Sequence, residues 1–190
     1  MISDMTYPQT VELGGEQFVL RAIKENDAEH IQALTLKLPQ QDLIYVNRDL
    51  TKLPVINAWI RKATSGDFET LILEKDGVIV GMSALAVDKL SWSGHVGEIR
   101  VIVDKSVRRQ GVGRLLVAHT FFLALQQGLR KITAQMTVDQ RGAISVFEEM
   151  GFSGEALLKD HVMDTDGVLH DLVILSCDVE VATNNLMMSA

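Results

Sequence analysis

The feature that most constrains the fold is a strand that leads through a glycine-containing loop into an apolar helix. Residues 96–103 have the composition of a buried strand, and residues 112–127 are apolar nearly all round, as in a buried helix. Between them, Gly111 and Gly113 permit a tight bend and a close approach of a ligand to the backbone. The first N–H groups of a helix lack partners within it and carry a partial positive charge. The segment therefore predicts a site for an anion such as a phosphate or a pyrophosphate.

Basic residues cluster at this loop, although the chain as a whole has a net charge of −7. The bases are Lys105, Arg108, Arg109 and Arg114, and Asp104 is the one acid among them. Two other phosphate-binding loops do not fit. A Walker loop needs Lys and then Ser or Thr directly after its last glycine, and a dinucleotide-binding loop needs a third small residue. The alternative interpretation is an ordinary helix start with solvated arginines.

The remaining pattern predicts a mixed α/β fold in which helices cover one sheet. A glycine pair at residues 14–15 indicates a hairpin near the start, and Asp27 is a candidate helix cap. Residues 38–54 are interpreted as irregular, and the tail from residue 179 is expected to fray. The predicted helices lie near residues 28–38, 55–63, 112–127 and 143–150, and the predicted strands at 10–13, 18–23, 70–75, 78–87, 96–103, 131–138, 156–162 and 168–175.

Composition excludes several classes of protein. The 190 residues, 47% of them hydrophobic, suit one globular domain. The single cysteine, Cys177, excludes an internal disulfide and a cysteine-rich zinc site, and it favours a reducing compartment, so a cytoplasmic location is expected. No secretory signal or membrane span is visible, and the acidic charge argues against nucleic-acid binding. The five histidines show no metal-ligand spacing, so no metal is expected, and His170 is interpreted as structural.

Three segments resemble the GCN5-related N-acetyltransferase (GNAT) family. Residues 108–113, Arg-Arg-Gln-Gly-Val-Gly, match the family's motif of Gln or Arg, two variable residues, Gly, one variable residue, and Gly or Ala. The strand at 98–103 and the helix with a Gly-Phe ending at 143–152 extend the match, so the resemblance covers residues 17–177. It implies a GNAT-type α/β fold, with a mixed sheet of six to seven mostly antiparallel strands and about four helices, in a single N-acetyltransferase domain over residues 1–190.

The resemblance also implies which residues bind acetyl-CoA as a co-substrate. Backbone N–H groups of the loop and helix start would hold the pyrophosphate. The preceding strand would pair with the pantetheine arm and direct one N–H at the thioester oxygen. Gln140 stands where many relatives have Asn, and Phe147 where many have a Tyr that protonates the leaving thiolate. The implied binding residues are Val101, Ile102, Val103, Arg108, Arg109, Gln110, Gly111, Val112, Gly113, Arg114, Gln140 and Phe147.

An amine acceptor must lose a proton before it attacks, because an amine with a pKa near about 10 is mostly protonated at neutral pH. Glu98 stands where several relatives place a catalytic glutamate, and it is the candidate catalytic base. The alternatives are a structural pair of Glu98 with Arg100 and a chain of water molecules. Trp92 suits either the acceptor pocket or a loop aromatic that caps the core. The candidates for the acceptor pocket are Trp92, Asp42, Tyr45 and Asp49.

The leading hypothesis is an acetyl-CoA-dependent N-acetyltransferase that acts on a primary amine by direct attack in a ternary complex. No acyl-enzyme is expected, since no activated nucleophile is apparent. Because Phe147 cannot donate a proton, the alternative is a catalytically weak sensor or regulatory module that binds acetyl-CoA. The amine is expected on a small molecule or a peptide, and neither nucleic acid nor a membrane is an expected partner. The closing hairpin could pair two copies, so a homodimer is a further expectation.

Overall fold

The computed structural model describes residues 5–43, 48–66 and 68–188. The strands in these ranges form one sheet in the order β1-β2-β3-β4-β5-β6-β8-β7, and only β5 and β6 run parallel. None of the helices described is long and apolar enough to cross a membrane. The strands are β1 (Gln9–Leu13), β2 (Glu16–Ala22), β3 (Phe68–Lys75), β4 (Val78–Ala86), β5 (Val96–Val103), β6 (Lys131–Thr137), β7 (Ser153–Met163) and β8 (Leu169–Asp178). The α-helices are α1 (Ala28–Thr35), α2 (Leu53–Thr64), α3 (Val112–Gln126), α4 (Arg141–Glu149) and α5 (Val179–Met188).

The structure confirms the predicted mixed sheet of mostly antiparallel strands covered by helices. The described ranges contain eight strands and five α-helices, more than the six to seven strands and about four helices implied by the resemblance. The N-terminal hairpin of β1 and β2 joins the sheet by pairing with β3. The predicted fraying of the tail is wrong for residues 179–188, which form α5. Val179 and Ala182 anchor that helix because both are buried in the core.

The two faces of the sheet carry separate hydrophobic cores. On one face, Ile99 of β5 packs with Phe121 of α3 and Phe147 of α4. On the other face, Ile102 packs with Ile31 of α1 and with residues of α2. Successive side chains of a strand point to opposite faces, which is why neighbouring positions of β5 contribute to both cores. α3 contacts a third cluster as well, so its nearly all-round apolar surface is buried as the sequence predicts.

The sheet opens between β5 and β6. These strands pair only at Val96–Glu98 with Lys131–Thr133. Beyond the paired part, β5 continues to Val103 and β6 continues to Thr137, and each leads onward to the start of a helix, α3 or α4. The carboxyl ends of two parallel strands therefore diverge, and the gap between them is the place where a ligand can enter the sheet.

Candidate active site

A cleft of about 680 Å³ lies where β5 and β6 separate. A volume of this size is typical of a binding site for a small molecule. β5 contributes Ile99, Val101 and Val103 to the walls, and β6 contributes its last three residues. The loop before α3 and the first turns of α4 also line the cleft, with residues Arg108, Arg109, Gly113, Gln140, Arg141, Gly142, Ala143, Val146 and Phe147.

The loop before α3 bends through two residues in the left-handed region. Arg109 has a φ of 64° and Gly111 a φ of 86°. The N–H of Leu115 donates to the carbonyl of Gly111 and closes the first turn of α3, so the N–H groups of residues 112–114 have no carbonyl one turn before them in the helix. A Cβ at Gly113 would meet no atom within 4 Å, so this side of the helix start is open. The geometry is that of the predicted anion site.

The N-terminal hairpin packs against this loop. A Cβ at Gly14, in the turn between β1 and β2, would lie 3.6 Å from Cγ of Gln110. A Cβ at Gly111 would lie 3.7 Å from a methyl group of Leu13. The sequence predicts the hairpin, but the structure adds that its turn supports the glycine loop.

Two partners hold the side chain of Arg108 beside the loop. Its Nη2 donates to Oδ2 of Asp42 at 2.6 Å and to the carbonyl of Val103 at 3.1 Å. Its Nε donates to the same carbonyl at 3.3 Å. Arg108 therefore connects the loop to β5 and to a single 3-10 turn, Gln40–Asp42, that comes after α1.

Gln140 lies directly before α4, and its side chain reaches the cleft. Nε2 donates to the carbonyl of Gln41 at 2.9 Å. Oε1 is buried and has no hydrogen-bond partner within the described ranges. Farther along α4, Phe147 is buried and packs edge-on against Phe152, with ring centroids 5.0 Å apart. The ring of Phe147 lines the cleft and has no proton to donate.

The structure brings most of the expected cofactor-binding residues together. Ile102 and Val112 are buried in the core, Gln110 and Gly111 lie against the N-terminal hairpin, and the side chain of Arg114 pairs with Glu149 at 3.4 Å. The expected role of these five positions rests on backbone N–H groups, so their side-chain positions are compatible with it. The expected residues that line the cleft are Val101, Val103, Arg108, Arg109, Gly113, Gln140 and Phe147.

Glu98 and Arg100 form an ion pair on β5. Nε of Arg100 donates to one carboxylate oxygen of Glu98 and Nη2 to the other, both at 2.9 Å. The guanidinium lies 5.9 Å from the ring centroid of Trp59. Side chains alternate along a strand, so Glu98 and Arg100 lie on the face opposite to Ile99 and Val101, which line the cleft. The ion pair is the structural alternative foreseen for Glu98, whose role as the base stays a prediction.

His170 lines the cleft, although the sequence suggested only a structural role. Its Nε2 lies 2.8 Å from Oδ2 of Asp164, and its Nδ1 lies 3.8 Å from Oδ2 of Asp139. The hydrogen bond from His170 lowers the pKa of Asp164. The sequence did contain a signal for the position of His170, namely the turn at Asp166–Gly167. The hairpin that this turn closes places the end of β7 beside the start of β8, where His170 lies. Within the described ranges, no three His, Cys, Asp or Glu side chains are grouped to hold a metal ion.

Of the acceptor-pocket candidates that the structure describes, Asp42, Asp49 and Trp92, Asp42 alone is among the lining residues of the cleft. Asp49 instead accepts hydrogen bonds from Thr51 in its own turn. Trp92 is fully exposed in the loop before β5, so the expectation that it caps the core is wrong. Tyr45 lies outside the described residues.

The family is identified from residues 34–152, which match the model of the Acetyltransferase (GNAT) family. This match covers more than half of the chain, and the protein therefore belongs to that family. A curated relative, the [ribosomal protein bS18]-alanine N-acetyltransferase of Escherichia coli K12, is 25% identical over 81 residues. That stretch is 43% of this chain and 54% of the relative, so the chain spans about half the length of the curated relative it matches.

Solved structures share the fold. An N-acetyltransferase from Staphylococcus aureus Mu50 aligns with a TM-score of 0.72 over 85% of this chain and 98% of its own, at 18% identity. The protein yncA from Salmonella typhimurium, whose structure includes its cofactor acetyl-CoA, aligns with a TM-score of 0.73 over 85% of this chain and 94% of its own, at 18% identity. At this level of identity the alignments establish the fold alone, and that fold is the GNAT acetyltransferase fold.

Proposed function

We propose that this protein is an acetyl-CoA-dependent N-acetyltransferase that transfers an acetyl group to a primary amine by direct attack in a ternary complex. The observation that carries the proposal is the start of α3, which is open at Gly113 and lines the cleft between the separated strands. Membership of the acetyltransferase family and the E. coli relative named for its alanine substrate support the reaction class. In this proposal residues 1–190 form one N-acetyltransferase domain.

The polar groups of the cleft suit a ligand with a diphosphate and an amide-bearing arm. Besides Asp42 and Asp139, the residues that line it include three arginines, Arg108, Arg109 and Arg141, in a chain of net charge −7. They complement the N–H groups at the start of α3. The buried Oε1 of Gln140 is an acceptor that an amide N–H of the arm would satisfy. These features fit acetyl-CoA, which supplies an acetyl group already activated as a thioester.

Positioning is the main contribution of the strands to the proposed reaction. Beyond its pairing with β6, the backbone of β5 at Val101 and Val103 would hydrogen-bond to the pantetheine arm, as it would to a neighbouring strand. A backbone N–H between Val101 and Val103 is the candidate donor to the thioester oxygen. Aligning the acyl group and the amine on opposite sides of β5 removes much of the entropic barrier to their reaction.

The candidate base for the proton of the amine is Glu98, which lies on the face of β5 opposite to Ile99 and Val101. Glu98 is in register with Thr133, and Thr133 is in register with Ser176 of β8. These positions share one face of the sheet, and His170, six residues before Ser176, shares it too. Glu98 is the proposed base, and His170 is another ionisable group on the same face, which also carries Arg100.

The leaving thiolate does not require a dedicated acid. Phe147 occupies the position at which many relatives have a tyrosine, and no proton can come from it. A thiol has a pKa near about 8.5, so the thiolate is a tolerable leaving group and water can protonate it afterwards. The same residue supports the second candidate function, an acetyl-CoA sensor with little catalysis.

Two measurements test the proposed function. Calorimetry should show binding of acetyl-CoA with little affinity for ATP or NAD, and the reverse order would refute the assignment of the cleft. Release of free thiol from acetyl-CoA should then appear with at least one member of a panel of amines, including peptides that begin with alanine. Binding without thiol release from any acceptor would support the sensor instead.

Glu98→Gln is expected to lower kcat by about 100-fold near neutral pH, the usual contribution of a positioned base. The loss should shrink as the pH rises, because the free amine becomes more abundant. The pH–rate profile of the purified variant checks both parts of this prediction.

Glu155→Gln is the matched control for Glu98→Gln. Glu155 lies on β7, outside the cleft, and its carboxylate pairs with Lys131 of β6 at 2.6 Å. This control variant should leave the rate unchanged. A profile of Glu98→Gln that coincides with that of the unmodified protein removes Glu98 from the role. His170→Gln, measured in the same way, then shows whether His170 takes the proton instead.

A further inference from the structure

The 3-10 turn at Gln40–Asp42, called the bridging turn below, connects three elements around the cleft. Its aspartate accepts a hydrogen bond from Arg108 in the loop before α3. The carbonyl of Gln41 accepts one from Gln140 at the start of α4, and the side chain of Gln40 accepts one from Thr165 between β7 and β8. The bridging turn therefore joins the loop side of the cleft to the α4 side.

One backbone group of β5, the part of the sheet that the proposed function assigns to the pantetheine arm, is occupied by Arg108. The carbonyl of Val103 accepts hydrogen bonds from Arg108 at 3.1 and 3.3 Å. By contrast, Nε2 of Gln140 donates at 2.9 Å to the bridging turn, while the Oε1 proposed for the arm has no partner in the described ranges. The same Nη2 of Arg108 contacts both Asp42 and Val103, so the carboxylate of Asp42 holds the guanidinium on that carbonyl. Arg108, held by Asp42, and an incoming arm consequently compete for the carbonyl of Val103.

We propose that Asp42 is a positioning residue that weakens the binding of acetyl-CoA, because it keeps Arg108 on the Val103 carbonyl and the bridging turn across the cleft. The inference rests on the proposed function. When the cofactor binds, the pair of Asp42 and Arg108 breaks, Val103 becomes available to the arm, and Arg108 becomes free to pair with phosphate.

The pair of Asp42 and Arg108 is suited to such an exchange. The side chain of Arg108 is 39% exposed and that of Asp42 is 20% exposed. Pairs with this degree of exposure contribute little to stability, because water competes for both partners. A diphosphate offers a guanidinium more charge than a single carboxylate does, together with bidentate hydrogen bonds. The ligand can therefore displace the carboxylate without unfolding the surrounding elements.

Asp42→Asn should tighten the binding of acetyl-CoA by about twofold to fivefold, the range that loss of an exposed ion pair allows. Calorimetry on the full chain measures this change, and an unchanged melting temperature shows that the fold is intact. Asp139→Asn is the matched control, because it removes one carboxylate from the same cleft without touching Arg108, and its effect should be smaller. In an Arg108→Gln background, Asp42→Asn should change nothing.

Hydrogen exchange gives a readout that is independent of affinity. The N–H groups of Asp42 and Leu43 donate within the bridging turn to the carbonyls of Pro39 and Gln40 at 2.9 and 2.8 Å. Saturation with acetyl-CoA should accelerate the exchange of these two amides. Slower exchange, weaker binding by Asp42→Asn, or an effect no larger than that of Asp139→Asn would overturn the inference alone. Failure of every variant and of the unmodified protein to bind would overturn the proposed function as well.

Discussion

Gly113→Glu should abolish measurable binding of acetyl-CoA while the protein stays folded. Position 113 is in the first turn of α3, and an added Cβ there meets no atom within 4 Å, so the fold tolerates a side chain. The new carboxylate would stand where the N–H groups of the helix start are proposed to face the diphosphate. Like charges about 4–5 Å apart cost roughly 3 kcal/mol at the dielectric of a protein surface. That cost corresponds to a loss of affinity of more than about 100-fold, which calorimetry can detect.

Gly113→Gln separates charge from bulk in this experiment, because glutamine has nearly the size of glutamate without its charge. It should bind acetyl-CoA more weakly than the unmodified protein but much more tightly than Gly113→Glu. Gly111→Glu is a less clean variant, since the φ of 86° at that position strains any side chain. Unchanged affinity in Gly113→Glu would show that no diphosphate binds at the start of α3, and the acyl-transfer assignment would fall with it.

The glycine loop was predictable because its proposed function depends on residues that are adjacent in sequence. A strand, a turn and a helix start follow one another within residues 98–114, so local patterns determine how the backbone N–H groups are arranged. The partners of that loop were not predictable in the same way. Arg108 meets Asp42 across 66 residues and Gln140 meets Gln41 across 99 residues. Such contacts depend on how whole elements pack, and no local pattern records them.

The opening between β5 and β6 was likewise not predictable from local sequence patterns. Alternation along residues 131–138 predicts a strand and its two faces. It does not predict that this strand pairs with β5 over only three residues and then diverges. The divergence creates the cleft, and the hairpin of β7 and β8 brings His170 to it. The sequence therefore identified the elements of the site, and sheet register determined which of their side chains meet.

Asp27 is a case in which the predicted position is right and the predicted role is wrong. It directly precedes α1, as a helix cap should, but its side chain makes no capping bond to that helix. Instead, both carboxylate oxygens accept hydrogen bonds from Arg21, at 2.7 and 2.8 Å, and one also accepts from the N–H of Lys24. Glu74 contacts the same guanidinium. A charged cluster is thus buried beside the sheet, with the Asp27 and Arg21 side chains 4% and 8% exposed.

Asp27→Asn should lower the free energy of unfolding by about 3 kcal/mol at pH 7, because it leaves Arg21 buried with only Glu74 to balance its charge. Burial by itself raises the pKa of Asp27, but the hydrogen bonds from Arg21 and Lys24 outweigh burial, so the pKa lies below its ordinary value. A depressed pKa means that the contribution of Asp27 is complete above the unfolded-state value of about 3.9 and is lost as the pH falls through the lower folded-state value. Urea unfolding should therefore show the gap between the two proteins at neutral pH and its closure in strong acid.

Glu155→Gln serves as the control for Asp27→Asn, since the pair of Glu155 and Lys131 is 40% and 38% exposed and should contribute less than about 1 kcal/mol. Equal losses in the two variants would show that burial of the Arg21 cluster adds nothing to stability. A difference between Asp27→Asn and the unmodified protein that stayed constant down to strong acid would show that the ionised form of Asp27 is not what stabilises the fold. The predicted result, a large loss confined to the pH range in which Asp27 is ionised, requires both the burial and the charge pairing seen in the structure.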